Sequence, residues 1–416
     1  MPDSTIERRA RRHGPRVFAG LADAGLASLG TFLVGAYAAT TLPADELGVF
    51  AIVFASFMVG GVFPQSLVYG PIMAEVVERS AGPPIGWYAR SILGGLPAAL
   101  AGIVVALTLT IIAVDVRLDA FTLIAVATAT LLSPTQDFGR QLLHLSGRGR
   151  WATVTSAQFT IIVVAMLAFA LLTDESTLLF LFATIGVANL VSIATPLVFS
   201  LRFRAAASFF LREVVLRRGF WLLGAALIPT LATYSIRALL AHVASFSDAG
   251  YAEAARVLAA PILIVGAGTA TALRRDLFRQ GLGRTTRRWD VVVFVVIAIS
   301  AVSWGLLVLV GPIKGLLLQL LPTAYVIDGL VALSVVAATL AAVTVVLHSI
   351  AMGARKEPSI LTAQGMGSAV TVAAIAPLAS AVGANAQPSS AIAGSVVQIG
   401  FLGRVLQRKR EATQAE

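Results

Sequence analysis

Asp23, Arg237 and Arg256 stand inside long apolar runs of the chain, where an ionised side chain is costly and by default functional. Asp23 lies a turn or two into the first run, so it needs a partner, a proton or a water-filled cavity. A carboxylate in that position either binds a coupling ion or makes a structural hydrogen bond to a neighbouring helix. Arg237 follows Thr233 and Tyr234 in the run that begins at Phe220, and no acid lies one turn away. It either faces a cavity as a cation that can hold an anionic substrate, or pairs with an acid on another helix. Arg256 has Glu253 at i−3, close enough for an ion pair on one helical face, and for this residue the structural pair is the simpler account. Asp137 and Arg140 show the same spacing near one end of the fourth run, where Arg140 can equally snorkel to the interface. Gln136, Gln158, Asn189, Gln364 and Gln398 add uncharged polar points. The substrate-binding candidates are thus Arg237, Arg256, Arg140 and Gln136, and the coupling-ion candidate is Asp23.

Enzyme chemistry finds no foothold. The chain has no phosphate-binding glycine loop with lysine, no G-x-S-x-G elbow and no H-E-x-x-H pair. It has no cysteine, which excludes thiolate metal sites, disulfides and cysteine nucleophiles. The four histidines, His13, His144, His242 and His348, fall in connections or near the ends of runs, where an interfacial role is expected. No metal or cofactor is implied. Pro64, Pro71, Pro134, Pro196, Pro229, Pro261 and Pro377 fall inside runs, with Gly365 and Gly367, and each proline deletes a backbone donor and bends a helix.

The elements that must position these residues follow from composition. Of the 416 residues 57% are hydrophobic and 12% charged, against about 25% charged in an ordinary soluble domain. So little charge cannot cover a water-soluble body of this size. In hydrocarbon every backbone group must be satisfied internally, and the long, all-round apolar runs select helices over barrel strands. About twenty apolar residues cross a bilayer, and twelve runs qualify: 17–40, 47–73, 87–114, 118–143, 151–172, 178–200, 220–243, 249–273, 289–310, 325–350, 360–382 and 387–405. The weakest are 387–405 and 118–143. The first run is too long for a signal-peptide core of about 7–15 residues, so it reads as an uncleaved helix.

The basic residues orient the bundle. Alternate connections and the two termini hold 27 of the 31, the opposite connections hold only Arg117 and Lys314, and Arg237 and Arg256 lie within runs. By the positive-inside rule both termini are cytoplasmic, and the net charge of +10 reports membrane topology rather than nucleic-acid binding. Trp87, Trp151, Trp221 and Trp289 fall at the cytoplasmic starts of odd-numbered runs, at headgroup level. The expected organisation is a basic tail over 1–16, a six-helix lobe over 17–200, a basic linker over 201–219, a second six-helix lobe over 220–405 and a tail over 406–416. A shift of 202 residues places Phe18 on Phe220 and Gly48 on Gly250. Both halves enter from the cytoplasm, so they form a parallel pseudo-repeat about an axis along the membrane normal.

Three stretches carry a resemblance. Leu42-Pro43-Ala44-Asp45-Glu46-Leu47-Gly48-Val49-Phe50-Ala51, the first-helix stretch Leu21-Ala22-Asp23-Ala24-Gly25-Leu26-Ala27-Ser28-Leu29, and the A-G-x-x-x-A-A-R-x-L-x-x-P pattern over Ala249–Pro261 resemble the polysaccharide exporters and O-antigen flippases of the multidrug/oligosaccharidyl-lipid/polysaccharide (MOP) superfamily. The resemblance implies an all-α, MATE-like membrane protein with two six-helix lobes around a central cavity. It implies alternating access that moves a sugar on a polyprenyl phosphate or pyrophosphate between leaflets, with glycosyltransferases and a polymerase as further partners. A cationic cavity suits such a substrate, and Arg237 and Arg256 are the residues for it. A related multidrug branch uses a first-helix aspartate for a coupling ion, a role that Asp23 matches.

Other classes stay open at this level. A cation-coupled exporter of small amphipathic molecules shares the architecture. A major-facilitator carrier also has twelve helices, but Glu75–Arg90 lacks its G-x-x-x-D-R-x-G-R-R-like loop. A membrane-embedded glycosyltransferase or polymerase needs a sizeable external loop with acids or histidines, and the longest here is about a dozen residues around 311–324. A non-transporting scaffold has no sequence signature to exclude it.

Overall fold

A computed structural model describes residues 3–73, 84–114, 118–203, 219–281, 289–310, 328–354 and 356–415. The central basic connection over 204–218, the basic connection over 282–288 and the external loop around 311–324 lie outside the described residues.

Every described element is helical. In chain order these are α1 (Asp3–Thr41), α2 (Ala44–Pro64), a π-helical turn (Gln65–Tyr69), a 3-10 turn (Pro84–Trp87), α3 (Tyr88–Ala113), α4 (Ala120–Leu145), α5 (Gly149–Thr173) and α6 (Leu178–Arg202). The second half supplies α7 (Phe220–Val243), α8 (Phe246–Ala272), the short α9 (Arg274–Gly281), α10 (Trp289–Leu309), α11 (Asp328–Gly353), α12 (Glu357–Val382) and α13 (Ala386–Ala415), with a 3-10 turn at Gly383–Asn385. Twelve of these helices match the twelve apolar runs. The main differences are at the ends, where α1 reaches back to Asp3 and α13 runs on to Ala415 through polar sequence.

Ten segments are long and apolar enough to cross a membrane, and one of them, Pro358–Arg408, holds both α12 and α13. Only α4 among the long helices falls short, because it carries Asp137, Arg140 and His144. Apolar side chains point outward in a manner that only lipid makes favourable: Leu172 is 85% exposed and Trp221 74%. The chain is a multi-pass membrane protein.

Local chemistry sets the helix ends. Asp119 caps α4, its carboxylate accepting from the Thr122 backbone N–H at 2.7 Å and hydroxyl at 2.9 Å, which holds this carboxyl below its ordinary range. The π turn follows Pro64 directly, whose missing N–H leaves the carbonyl one turn back without its α-helical donor.

The helix boundaries make the internal duplication concrete. α1 ends at Thr41 and α2 starts at Ala44, while α7 ends at Val243 and α8 starts at Phe246, an offset of 202 residues in both cases. Trp87 and Trp289, which close the turn before α3 and open α10, keep the same offset. From the fourth helix the offset becomes 208: α4 maps onto the whole of α11, and the starts of α5 and α6 map onto those of α12 and α13. Six extra residues therefore fall between α10 and α11.

The chain divides into two compact units. The first comprises residues 1–34, 60–108 and 118–223, and the second residues 35–59, 109–117 and 224–416. In the first, α4 and α6 pack on one another around Tyr69, Trp87, Tyr88, Phe138 and Leu142, with Tyr69 and Phe138 stacked at 4.4 Å. Tyr69 and Tyr88 keep their hydroxyls satisfied on the Thr135 hydroxyl and carbonyl, at 3.2 and 3.1 Å.

In the second unit, α8 packs on α11 and α12 on α13, around Ala342, Val346, Ile350, Ala363 and Leu402. The close crossing of α2 and α8 is also here. A Cβ on Gly48 would strike the Phe246 carbonyl, and a Cβ on Gly250 would strike the Ala44 carbonyl. Ala44 and Phe246 are themselves 202 residues apart, so this contact between the two repeats is self-complementary. Beside it, Asp248 accepts from the Ala384 N–H at 3.0 Å and ties the start of α8 to the turn before α13.

Candidate functional site

The charged residues inside the helices gather into two groups, one in each unit. The first is built on one face of α4, where Asp137, Arg140, Gln141 and His144 recur at helical spacing. α1 brings Asp23 to this face, packed along α5 so closely that the Thr160 hydroxyl donates to the Leu26 carbonyl at 2.7 Å. Asp23 is 3% exposed. Its Oδ2 accepts from Arg140 Nη1 at 2.9 Å and lies 2.8 Å from His144 Nε2, and its Oδ1 accepts from the Ser156 hydroxyl at 2.5 Å. Arg140 turns Nη2 to Asp137 Oδ1, and Gln141 Nε2 donates to Asp137 Oδ2 at 2.5 Å. With neutral imidazole the group carries two carboxylates against one guanidinium, a net charge of −1.

The second group joins α7 and α8. Glu253 is fully buried, and three N–H groups converge on it: Arg237 Nη2 on Oε2 at 2.9 Å, Arg256 Nε on Oε2 at 2.8 Å and Arg256 Nη2 on Oε1 at 2.6 Å. Arg237 also donates from Nη1 to the Ala51 carbonyl on α2 at 3.1 Å. Two guanidiniums against one carboxylate give a net charge of +1. The two arginines differ in exposure: the Arg237 side chain is 4% exposed and that of Arg256 41%.

Each site expectation can be placed. Arg237 takes the second of its two alternatives, an acid on another helix. Arg256 makes the expected i−3 pair, and its acid is the one that Arg237 also uses. Arg140 is neither isolated nor snorkelling: it bridges Asp137 and Asp23. Gln136 is buried on α4 and makes no hydrogen bond to the Asp23 group among the described residues. Of the alternatives open to Asp23, the structure gives it partners on α4 and α5. One expectation is corrected: His144, read as an interfacial residue, bonds to Asp23 through Nε2. The i, i+3, i+4, i+7 run of polar residues on α4 carried that signal, whereas nothing in the sequence singled out Ser156. His348 Nε2 and Gln364 Oε1 are buried without a hydrogen-bond partner among the described residues. No group of three or more His, Cys, Asp or Glu among those residues could hold a metal ion.

No family model matches the sequence, and no curated protein matches it. The fold does have solved relatives. The chain is similar to the lipid II flippase MurJ in an inward closed conformation, at 11% identity, over 95% of this chain and 87% of that one, with a TM-score of 0.69. It is also similar to the MATE transporter VcmN from Vibrio cholerae, at 14% identity, over 100% and 99% of the two chains, with a TM-score of 0.64. A third is a MOP superfamily transporter from Pyrococcus furiosus, at 11% identity, over 96% and 95%, with a TM-score of 0.61. The fold is the one that these three solved transporters share.

Proposed function

We propose that this chain is a transporter of the cell membrane that carries an anionic lipid-linked saccharide, a sugar on a polyprenyl phosphate or pyrophosphate, between leaflets by alternating access. The observation that carries this reading is the sign and exposure of the α7–α8 group. Its net charge is +1, and the Arg256 side chain is 41% exposed while Glu253 fixes the Nε–Nη2 edge of its guanidinium. Arginine holds phosphate oxygens through its planar fork, so Arg256 is the contact residue and the buried Arg237 positions Glu253 behind it. An exporter of amphipathic cations would place an acid at this point. The MurJ likeness supports the same reading. Both termini are cytoplasmic on the arginine count, and the substrate is made and consumed by glycosyltransferases and a polymerase. In this reading Asp23 binds the coupling proton, because a buried group of net charge −1 gains most from one proton.

Flipping of a fluorescent polyprenyl-pyrophosphate oligosaccharide in proteoliposomes tests the proposal. Losing a charge-assisted contact worth about 1.5–3 kcal/mol predicts that Arg256→Ala slows flipping about 10- to 100-fold. Arg256→Lys, which keeps the charge and loses the fork, recovers part of the rate. An Arg256→Ala protein that flips at the wild-type rate, or a wild type that moves a cationic dye and not the anionic lipid, overturns it.

A further inference from the structure

His144 links the buried carboxylate to water. Its Nε2 lies 2.8 Å from Asp23 Oδ2, the same oxygen that accepts from Arg140. Asp23 is sealed, with 4% of its side chain exposed, whereas the imidazole is 32% exposed. The ring sits in the last turn of α4, one residue before the helix ends, next to the connection that carries Arg148 and leads to Arg150 at the start of α5. On the positive-inside reading of these arginines, a side chain at that level faces water rather than hydrocarbon. Among the described residues the charged groups around it are Asp23 from α1 and Asp137 and Arg140 from its own helix, while α5 presents the neutral Ser156.

We propose that His144 is the relay through which a proton reaches and leaves Asp23. This inference rests on the reading of Asp23 as the coupling site. The neutral ring donates from Nε2 to the carboxylate, and its other nitrogen takes a proton from a water-borne acid, whose conjugate base stays in solution. The Nε2–H bond then breaks as an Oδ2–H bond forms, which leaves a neutral ring protonated on Nδ1 and a neutral Asp23. Arg140 does not lose its partner when Asp23 is neutralised, because Asp137 already holds its other nitrogen. The second carboxylate is what makes the step affordable. Without it, a protonated Asp23 would leave an unpaired guanidinium in a largely buried position. The group as a whole, not one residue, takes up the proton.

Two experiments test this. The first needs no substrate. Melting temperatures of wild type, Asp23→Asn, His144→Gln and the double variant form a cycle that isolates the coupling of positions 23 and 144. Two positions that share a hydrogen bond of 2.8 Å should show a coupling of about 1–3 °C. Shifts that simply add overturn the relay, because the proton then has no bond to pass along. The second is gradient-driven flipping in proteoliposomes, where His144→Ala should slow transport at least tenfold and added imidazole should restore much of the rate. A structural role for His144 would give slowing without rescue, which overturns the proposal, as does a wild-type rate. If wild-type flipping ignores the proton gradient, the coupling role of Asp23 fails with it. If Asp23→Asn abolishes gradient dependence and His144→Ala does not slow transport, only the relay fails.

Discussion

Glu253→Gln is the most informative single change in the molecule, because two arginines share one fully buried carboxylate. The variant keeps the volume and removes the charge, leaving two guanidiniums facing an amide. Only one amide oxygen can accept, and the NH2 group points a donor at a donor. Three charge-assisted bonds of 2.6 to 2.9 Å are involved. Arg256, already 41% exposed, can swing its charge outward, but Arg237 at 4% cannot. Breaking a buried pair by removing one partner costs about 3–5 kcal/mol. For 416 residues at about 2.1 cal/mol/K each, the unfolding entropy is about 0.9 kcal/mol/K, so the melting temperature should fall by about 3–6 °C. The five tryptophans allow this to be followed by intrinsic fluorescence on the purified protein. The double variant Arg237→Met/Glu253→Met removes both buried charges and should lie within about 2 °C of wild type, since apolar replacement of a buried pair is often neutral. A Glu253→Gln protein that melts with wild type, or a double variant less stable than the single one, refutes the argument.

Three further outcomes follow from the geometry. Ser156→Ala removes one donor from Asp23 and should cost about 1–3 kcal/mol, seen as a melting shift of about 1–3 °C, and no shift would mean that this bond does not form. Gly250→Val puts a side chain against the Ala44 backbone, so spin labels on cysteines introduced at 45 and 248 should report a wider separation than in the parent. The cysteine-free chain makes that labelling specific, and an unchanged distance would show that the crossing is looser than described. Reporter fusions at Asp45, Asp174, Asp248 and Asn385 should read outside, and those at Gly82, Gly147, Ser208 and Gly283 inside, with two neighbouring sites on one side contradicting the orientation.

The helices were legible because crossing hydrocarbon forces long apolar runs, a constraint that acts locally along the chain. Phe220–Val243 and the start of α10 at Trp289 were read to the residue, since Trp and Gly punctuate those runs. The start of α1 was not, because Asp3–Arg16 is polar and its helicity has no apolar signature. The site divides in the same way. Arg256 with Glu253 and Arg140 with Asp137 are contacts within one helix, and helical spacing exposes them. Arg237 with Glu253 joins two neighbouring helices. Asp23 with Arg140, His144 and Ser156 joins residues 117 to 133 positions apart. A single sequence carries no periodicity that links such distant positions.

The duplication shows where function departed from architecture. At the offset that superposes the first helices, Arg237 corresponds to Gly35, Glu253 to Ala51 and Arg256 to Phe54. At that same offset Asp23 corresponds to Ala225 in α7, and at the offset that superposes α4–α6 on α11–α13 Arg140 corresponds to His348 and Ser156 to Gln364. Neither charged group has a counterpart in the other repeat, although the helices that carry them do. Arg237 even bonds the carbonyl of Ala51, the residue that occupies in α2 the place of its own partner Glu253 in α8. The orphaned atoms of His348 and Gln364 fall where the first repeat has its acid-binding residues, and with Ala225 in place of Asp23 no carboxylate among the described residues meets them. Symmetry was therefore retained where backbones must cross closely, at Gly48 and Gly250, and lost where charge is needed. In the function proposed above, a group of net charge −1 in one repeat and one of +1 in the other would let a proton and an anion bind without competing for one residue. Their coupling would then run through the conformational equilibrium that each ligand biases, and such coupling is reciprocal.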